Sequence, residues 1–166
     1  FAPGEASTCA EAVVDALGDL YWRKAYGGQD AFTCLVRTIL SQNTSDVASQ
    51  PAHDDLVARY GGGDLAERLA KADHGELVDT IRSAGLYNQK ANVIIESAET
   101  VLADFGSAAA FDEFVREEEP NEVRAELLDM NGVGPKTADC VLLFSGGQSG
   151  VFPVDTHVHR IYRRLG

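Results

Sequence analysis

Lysine is scarce in this sequence. Only Lys24, Lys71, Lys90 and Lys136 occur among 166 residues, and 26 acidic side chains leave a formal net charge of −12. A chain that gripped phosphates over its whole surface would need the opposite sign, because such affinity rests on neutralising them. Many carboxylates with few lysines suit a salt-adapted organism, where charges are screened to a few ångström and hydrated acids keep a chain soluble. Cysteine is also sparse. Cys9, Cys34 and Cys140 show neither a CxxC pair nor a cysteine–histidine pair, so neither a disulfide framework nor a zinc knuckle is expected. Each lies in an apolar stretch as a small hydrophobe, which fits a cytoplasmic protein. No apolar run reaches the roughly 18 residues of a membrane span, and no basic-then-apolar leader opens the chain. The sequence starts at Phe1 rather than Met and stops at Gly166 after a basic run, so both ends read as cut.

What remains is enough for a core: 45% of residues are hydrophobic, and neither glycine nor proline is in excess. The apolar spacing is helical almost throughout. Expected helices cover 8–22, a stretch capped by Asp30 and running through Leu40, 44–60, 64–72, 74–84, 88–105, 110–118, 121–130, 135–145 and 156–165. Pro51 would allow a start or a kink in the third of these but not an undisturbed interior. No alternating strand pair with a tight turn occurs, so the fold class is all-α.

The charge is uneven. Residues 131–166 hold Lys136, Arg160, Arg163 and Arg164 against Asp139 and Asp155, the one cationic region of the chain. It contains "LLDMNGVGPKTADCVLLF" (127–144), two apolar helices joined through Asn131-Gly132-Val133-Gly134. The glycines allow positive φ and leave no side chain to hold off a ligand, and Pro135 suits the first helical position. Amides of such a turn and of the following helix can face an anion, a phosphodiester above all. A plain glycine-capped hairpin with no ligand fits the same residues. Lys136 sits in the first turn of its helix, beside the positive dipole end, where a cation is disfavoured and a free amine is a nucleophile. A phosphate contact or a solvated lysine is the alternative.

The segment "VFPVDTHVHRIYRRLG" (151–166) places Asp155 before a helix with Val158, Ile161 and Leu165 expected inward and the arginines outward. Asp155 can be a plain N-cap, or cap and still face Lys136 across a cleft. His157 and His159, two apart, face different ways on a helix, so no shared metal ion is expected. His53 and His74 read as surface residues, Glu117-Glu118-Glu119 as a solvated helix end, and Tyr87 and Asn88 as pocket or helix-start residues.

"GVGPKTAD" and "PVDTHVHR", with 19 positions from Lys136 to Asp155, together resemble the helix-hairpin-helix superfamily of DNA glycosylases, most closely its endonuclease III branch. "LSQNTSD" (40–46) and "GLYNQKA" (85–91) are similar to two further segments of that branch, in the same order, so the resemblance spans about 30–165. It implies a six-helix domain over 29–145, with the hairpin at 121–145, and a second lobe built from 1–28 and from 146–166 onward. It implies damaged double-stranded DNA as partner, a monomeric protein, and a base flipped out of the stack. Lys136 would attack the sugar and Asp155 assist, giving a Schiff base and strand cleavage by β-elimination. Gly132, Val133, Gly134, Thr137 and Arg160 would contact the DNA backbone, with a monovalent cation at the hairpin, while Gln42 and Leu86 would fill the gap in the duplex. Oxidised pyrimidines are the favoured substrates. Asn131 stands where the branch usually has proline, and "ADC" after the lysine is shared with 8-oxoguanine-type relatives, which keeps an 8-oxoguanine- or mismatch-directed enzyme as an alternative. A non-catalytic hairpin module that only binds DNA is another. A [4Fe–4S] cluster would accompany a cysteine-rich segment after Gly166; this chain itself ligates no cofactor.

Overall fold

The structure, a computed structural model, describes residues 29–148 and 150–165, and the expected helix over 8–22 lies outside them. Nine α-helices and no strand occur among the described residues: α1 (Ala31–Ser41), α2 (Asp46–Tyr60), α3 (Leu65–Ala70), α4 (His74–Thr80), α5 (Tyr87–Asp104), α6 (Ala108–Glu117), α7 (Pro120–Asp129), α8 (Pro135–Phe144) and α9 (Thr156–Leu165). A 3₁₀ turn, Arg82–Ala84, leads into α5. None of these helices is long and apolar enough to cross a membrane.

Aspartates start many of the helices. Asp30, Asp64 and Asp73 each accept the backbone N–H three residues on, and Ser107 does the same for α6. A lost cap of this kind costs about 1 kcal/mol. Part of the acidic excess is therefore structural. Asp64 also accepts the Ala108 N–H at 3.0 Å, and Asp112 accepts the Ala31 N–H at 2.7 Å, so carboxylates join helices as well as open them.

Helix α1 is the hub. Phe32, Leu35, Val36, Ile39 and Leu40 are fully buried, and α1 packs on α2, α5, α6 and α8. Helix α3 lies on α5, and α7 on α8. Phe111, Ile94, Leu127 and Leu142 fill the space between them. At about 1.5–3 kcal/mol for each large side chain buried, this cluster dominates the stability of the domain.

Two local expectations fail, at His53 and on α9, and helix α2 continues as one helix through Pro51 in its sixth position. The ring is exposed, and the carbonyl it leaves without an N–H belongs to Val47, itself 86% exposed, so water can supply the missing donor. His53 is not a surface residue but 5% exposed, with neither ring nitrogen hydrogen-bonded. Burial pushes its pKa down, Arg37 adds to this, and Asp54 opposes it. On α9, Val158 is half-buried but Ile161 is 52% exposed, because little of the described chain packs on that helix.

Candidate functional site

The turn between α7 and α8 closes with a Val133 N–H to Met130 carbonyl bond of 3.2 Å and a Gly132 φ of +76°. Val133 is buried and anchors the turn in the core. At Gly132 a Cβ would stand 2.7 and 2.8 Å from the Val93 methyls, whereas at Gly134 nothing lies within 4 Å. The first glycine is therefore needed for packing on α5. The second leaves open space in front of the helix. Gly134 is the N-cap of α8, Pro135 follows, and no side chain caps this N-terminus. The first-turn N–H groups, which have no partner within the helix, face an approaching anion with the dipole in its favour.

The hairpin is braced from behind. Arg124 on α7 donates to Asp139 on α8 at 2.8 Å, and Asn131 Nδ2 donates to Glu96 Oε2 at 2.6 Å. Asn131 thus ties the turn to α5 through its side chain.

Lys136, in the first turn of α8, is half-buried and borders two cavities. The larger, about 800 Å³, is a cleft walled by residues 41–45, by the hairpin from Gly132 to Thr137, and by residues 154–157. Asp155 lies on its wall and accepts the Val158 N–H at 2.7 Å, so it does cap α9. Its pKa falls below the ordinary carboxylate value chiefly through that bond; partial burial opposes the shift, while His157 and Lys136 add to it. The carboxylate is therefore a charged acceptor in the cleft that Lys136 also lines.

The smaller cavity, about 180 Å³, lies between α1, α2 and α8 and is lined by Arg37, Ser41, Asp46, Gln50, Cys140 and Phe144 among others. Gln50 accepts a hydrogen bond from the Arg37 guanidinium and donates to Asp54. Cys34 and Cys140 are buried free thiols, and burial pushes both pKa values up. Sequence reasoning missed this cavity. The signal was Arg37, Thr38 and Ser41, polar residues on one stripe of an otherwise apolar α1, although nothing in their spacing says what faces them.

Of the residues singled out from the sequence, Gln42, Gly132, Gly134, Lys136, Thr137 and Asp155 share the cleft wall. Thr137 is buried, and its hydroxyl accepts a bond from Gln42 Nε2 at 3.1 Å; the same amide nitrogen donates to the Gly132 carbonyl at 3.2 Å. Gln42 is thus turned onto the hairpin. Its neighbour Asn43 is exposed and held at φ +53°. Leu86, 52% exposed at φ +48°, and Arg160, exposed and within 3.0 Å of His157 Nδ1, lie outside the cleft lining. Among the described residues no group of three histidine, cysteine or acidic side chains could hold a metal ion. With three cysteines in the sequence, two of them buried beside Lys136, the chain does not itself supply the four thiolates of a [4Fe–4S] cluster.

A profile described as the HhH-GPD superfamily of base excision DNA repair proteins matches residues 36–166. Endonuclease III of Thermotoga maritima is 36% identical over 137 residues, which is 82% of this chain and 57% of that protein. The chain spans about half the length of the curated relatives it matches. Among solved structures, a Helicobacter pylori 3-methyladenine DNA glycosylase bound to 1,N6-ethenoadenine superposes with a TM-score of 0.75 at 27% identity, covering 93% of this chain and 73% of that one. A trapped endonuclease III–DNA covalent intermediate superposes at 0.72 and 26% identity, covering 95% and 68%.

Proposed function

This chain belongs to the HhH-GPD superfamily of base excision DNA repair proteins, and on that footing we propose that it is a DNA glycosylase with abasic-site lyase activity, acting on oxidised bases in duplex DNA. The observation that carries the proposal is one cleft lined by both Lys136 and Asp155, beside a helix N-terminus that no side chain caps. In this reading the hairpin amides around Gly132 and Gly134 hold a phosphate, with a monovalent cation at the turn, and the damaged nucleotide turns out of the stack toward Lys136. In the same reading residues 29–145, which hold α1–α8 rather than the six helices expected from the resemblance, are one domain, and 146–166 begin the second lobe.

The Lys136 amine attacks C1′ of the sugar. The bond from C1′ to the base breaks, its electron pair leaves with the base, and the base takes up a proton. Asp155, already ionised, either accepts the proton that the amine loses or, while still charged, stabilises the positive charge that develops at the sugar. Opening of the sugar ring gives a Schiff base between Lys136 and C1′. Loss of a C2′ proton then expels the 3′ phosphate oxygen and cuts the strand. A binding-only module has no use for this pairing of lysine and carboxylate.

Oxidised pyrimidines are the favoured substrates, since the resemblance to the endonuclease III branch runs through four ordered segments. An 8-oxopurine is the second reading, favoured by Cys140 and Phe144 in the wall of the cavity beside Lys136. The test is a pair of duplexes, one with an oxidised pyrimidine and one with 8-oxoguanine, scored separately for free base and for strand cleavage. Base release with a β-elimination nick on the first duplex is expected. Release without a nick would make the protein monofunctional, and intact DNA after tight binding would make it a binding module.

A further inference from the structure

Lys90 is 4% exposed, and no carboxylate bonds it. Its ammonium instead donates to two carbonyls, Leu40 at 2.7 Å and Ala84 at 2.9 Å. Burial pushes its pKa down, so the lysine is kept here at a cost that an aliphatic residue would not carry. Both acceptors lie at the C-terminal ends of helical segments. Leu40 is in the last turn of α1, where carbonyls lack an intrahelical partner, and Ala84 ends the 3₁₀ turn. A compact cation with three donors suits two such carbonyls and the negative ends of their dipoles.

The chain leaving each carbonyl does something unusual. Three residues after Leu40 stands Asn43 at φ +53°, and two after Ala84 stands Leu86 at φ +48°. These are the two non-glycine residues with positive φ among the described ones, and both are exposed. Leucine in the left-handed region is strained, and strain of this kind persists where the surroundings over-determine it. Its side chain covers nothing of the core. Gln42 fixes the first loop to the hairpin, and Lys90 fixes the helix end from which that loop leaves to the turn end from which the second leaves. Asn43 lines the cleft with the phosphate-facing turn, and Lys90 ties the helix end that leads to it to the turn that leads to Leu86.

We propose that Lys90 is a positioning residue whose buried ammonium clamps the two loops so that Asn43 and Leu86 enter the duplex together where a nucleotide has been turned out. The inference rests on the glycosylase reading above, and it moves the partner of Leu86 from Gln42 to Asn43. Lys90 touches neither DNA nor the reacting atoms. Its effect passes through the two side chains it spaces.

The experiment is a mutant cycle on the protein with a duplex carrying the lesion and 2-aminopurine beside it, whose fluorescence rises when the stack opens. Lys90→Met and Leu86→Ala are each expected to suppress that rise and to slow single-turnover excision at saturating enzyme by about 10-fold or more, and the double variant to lose no more than about 2-fold beyond Leu86→Ala alone. Lys90→Gln, which keeps one amide donor, should fall between wild type and Lys90→Met and guards against a methionine variant that does not fold. Losses that multiply in the double variant would assign Lys90 a general structural role and overturn the inference. So would a Lys90→Gln or folded Lys90→Met protein with the wild-type fluorescence rise. If the wild type raises the fluorescence yet releases no base, the glycosylase reading fails, and the fluorescence still tests the clamp.

Discussion

The Asp155 carboxylate accepts the Val158 N–H and, from the same position, faces the cleft that Lys136 lines. The two roles separate by substitution. Asparagine keeps an oxygen that can cap, whereas alanine does not. Asp155→Asn should therefore melt within about 0.5 kcal/mol of wild type and lose about 100-fold or more in single-turnover excision, while Asp155→Ala loses the same activity and a further ~1 kcal/mol of stability. An Asn variant with near wild-type excision would remove Asp155 from the chemistry. Because the folded-state pKa lies below the unfolded value, the stabilisation by this group is fully present above the unfolded pKa and is lost only as pH falls through the folded one. Its charge is thus in place at neutral pH. That Lys136 and Asp155 stand at helix starts was legible because each start is marked by glycine, proline or a capping aspartate, and the resemblance led to the expectation that the two residues share a cleft. The inward turn of Gln42, the burial of His53 and the clamp by Lys90 were not. Each depends on which face of a helix meets a neighbour, and sequence spacing leaves that choice to tertiary packing.

At the scale of elements, the hairpin gives its two glycines different work, although the sequence presents them as a pair. Gly132→Ala adds a methyl against Val93 in a residue with positive φ and should cost roughly 1–3 kcal/mol in thermal unfolding. Gly134→Ala has open space and a φ of −97°, so the fold should keep its stability within about 0.5 kcal/mol while DNA binding weakens, because the methyl stands where a phosphate must approach. Equal melting of the two variants, or undiminished binding by the second, would contradict this division. Helix boundaries elsewhere fall within a few residues of those read from apolar spacing, since caps such as Asp30, Asp64 and Asp73 write their positions into the chain. Two elements need a further physical reason. Helix α2 absorbs Pro51 on an exposed face, and α9 keeps Ile161 exposed because an apolar stripe implies burial only where something packs on it.

For the whole molecule, the proposed function requires a chain of net charge −12 to meet a polyanion through one cationic region. Few phosphates can then be neutralised, and the fall of binding with salt should be shallow, with a slope of about −0.9 for each one. Arg160→Ala should weaken binding to damaged and undamaged duplexes alike and reduce that slope by about 1. An unchanged slope would place Arg160 away from the DNA. Specific recognition must consequently come from the rim and the cleft rather than from long-range attraction, which fits a surface where carboxylates cap helices and arginines gather near α9.

The claim on which the rest depends is covalent chemistry at Lys136. Borohydride reduction during reaction with a lesion-bearing duplex measures it directly, by converting the Schiff base into a stable protein–DNA adduct. The expected result is an adduct whose cross-linked peptide maps to Lys136 and which disappears in Lys136→Ala while that variant still binds the duplex. A folded, DNA-binding wild type that releases base with no adduct, or an adduct that persists in Lys136→Ala, would contradict it.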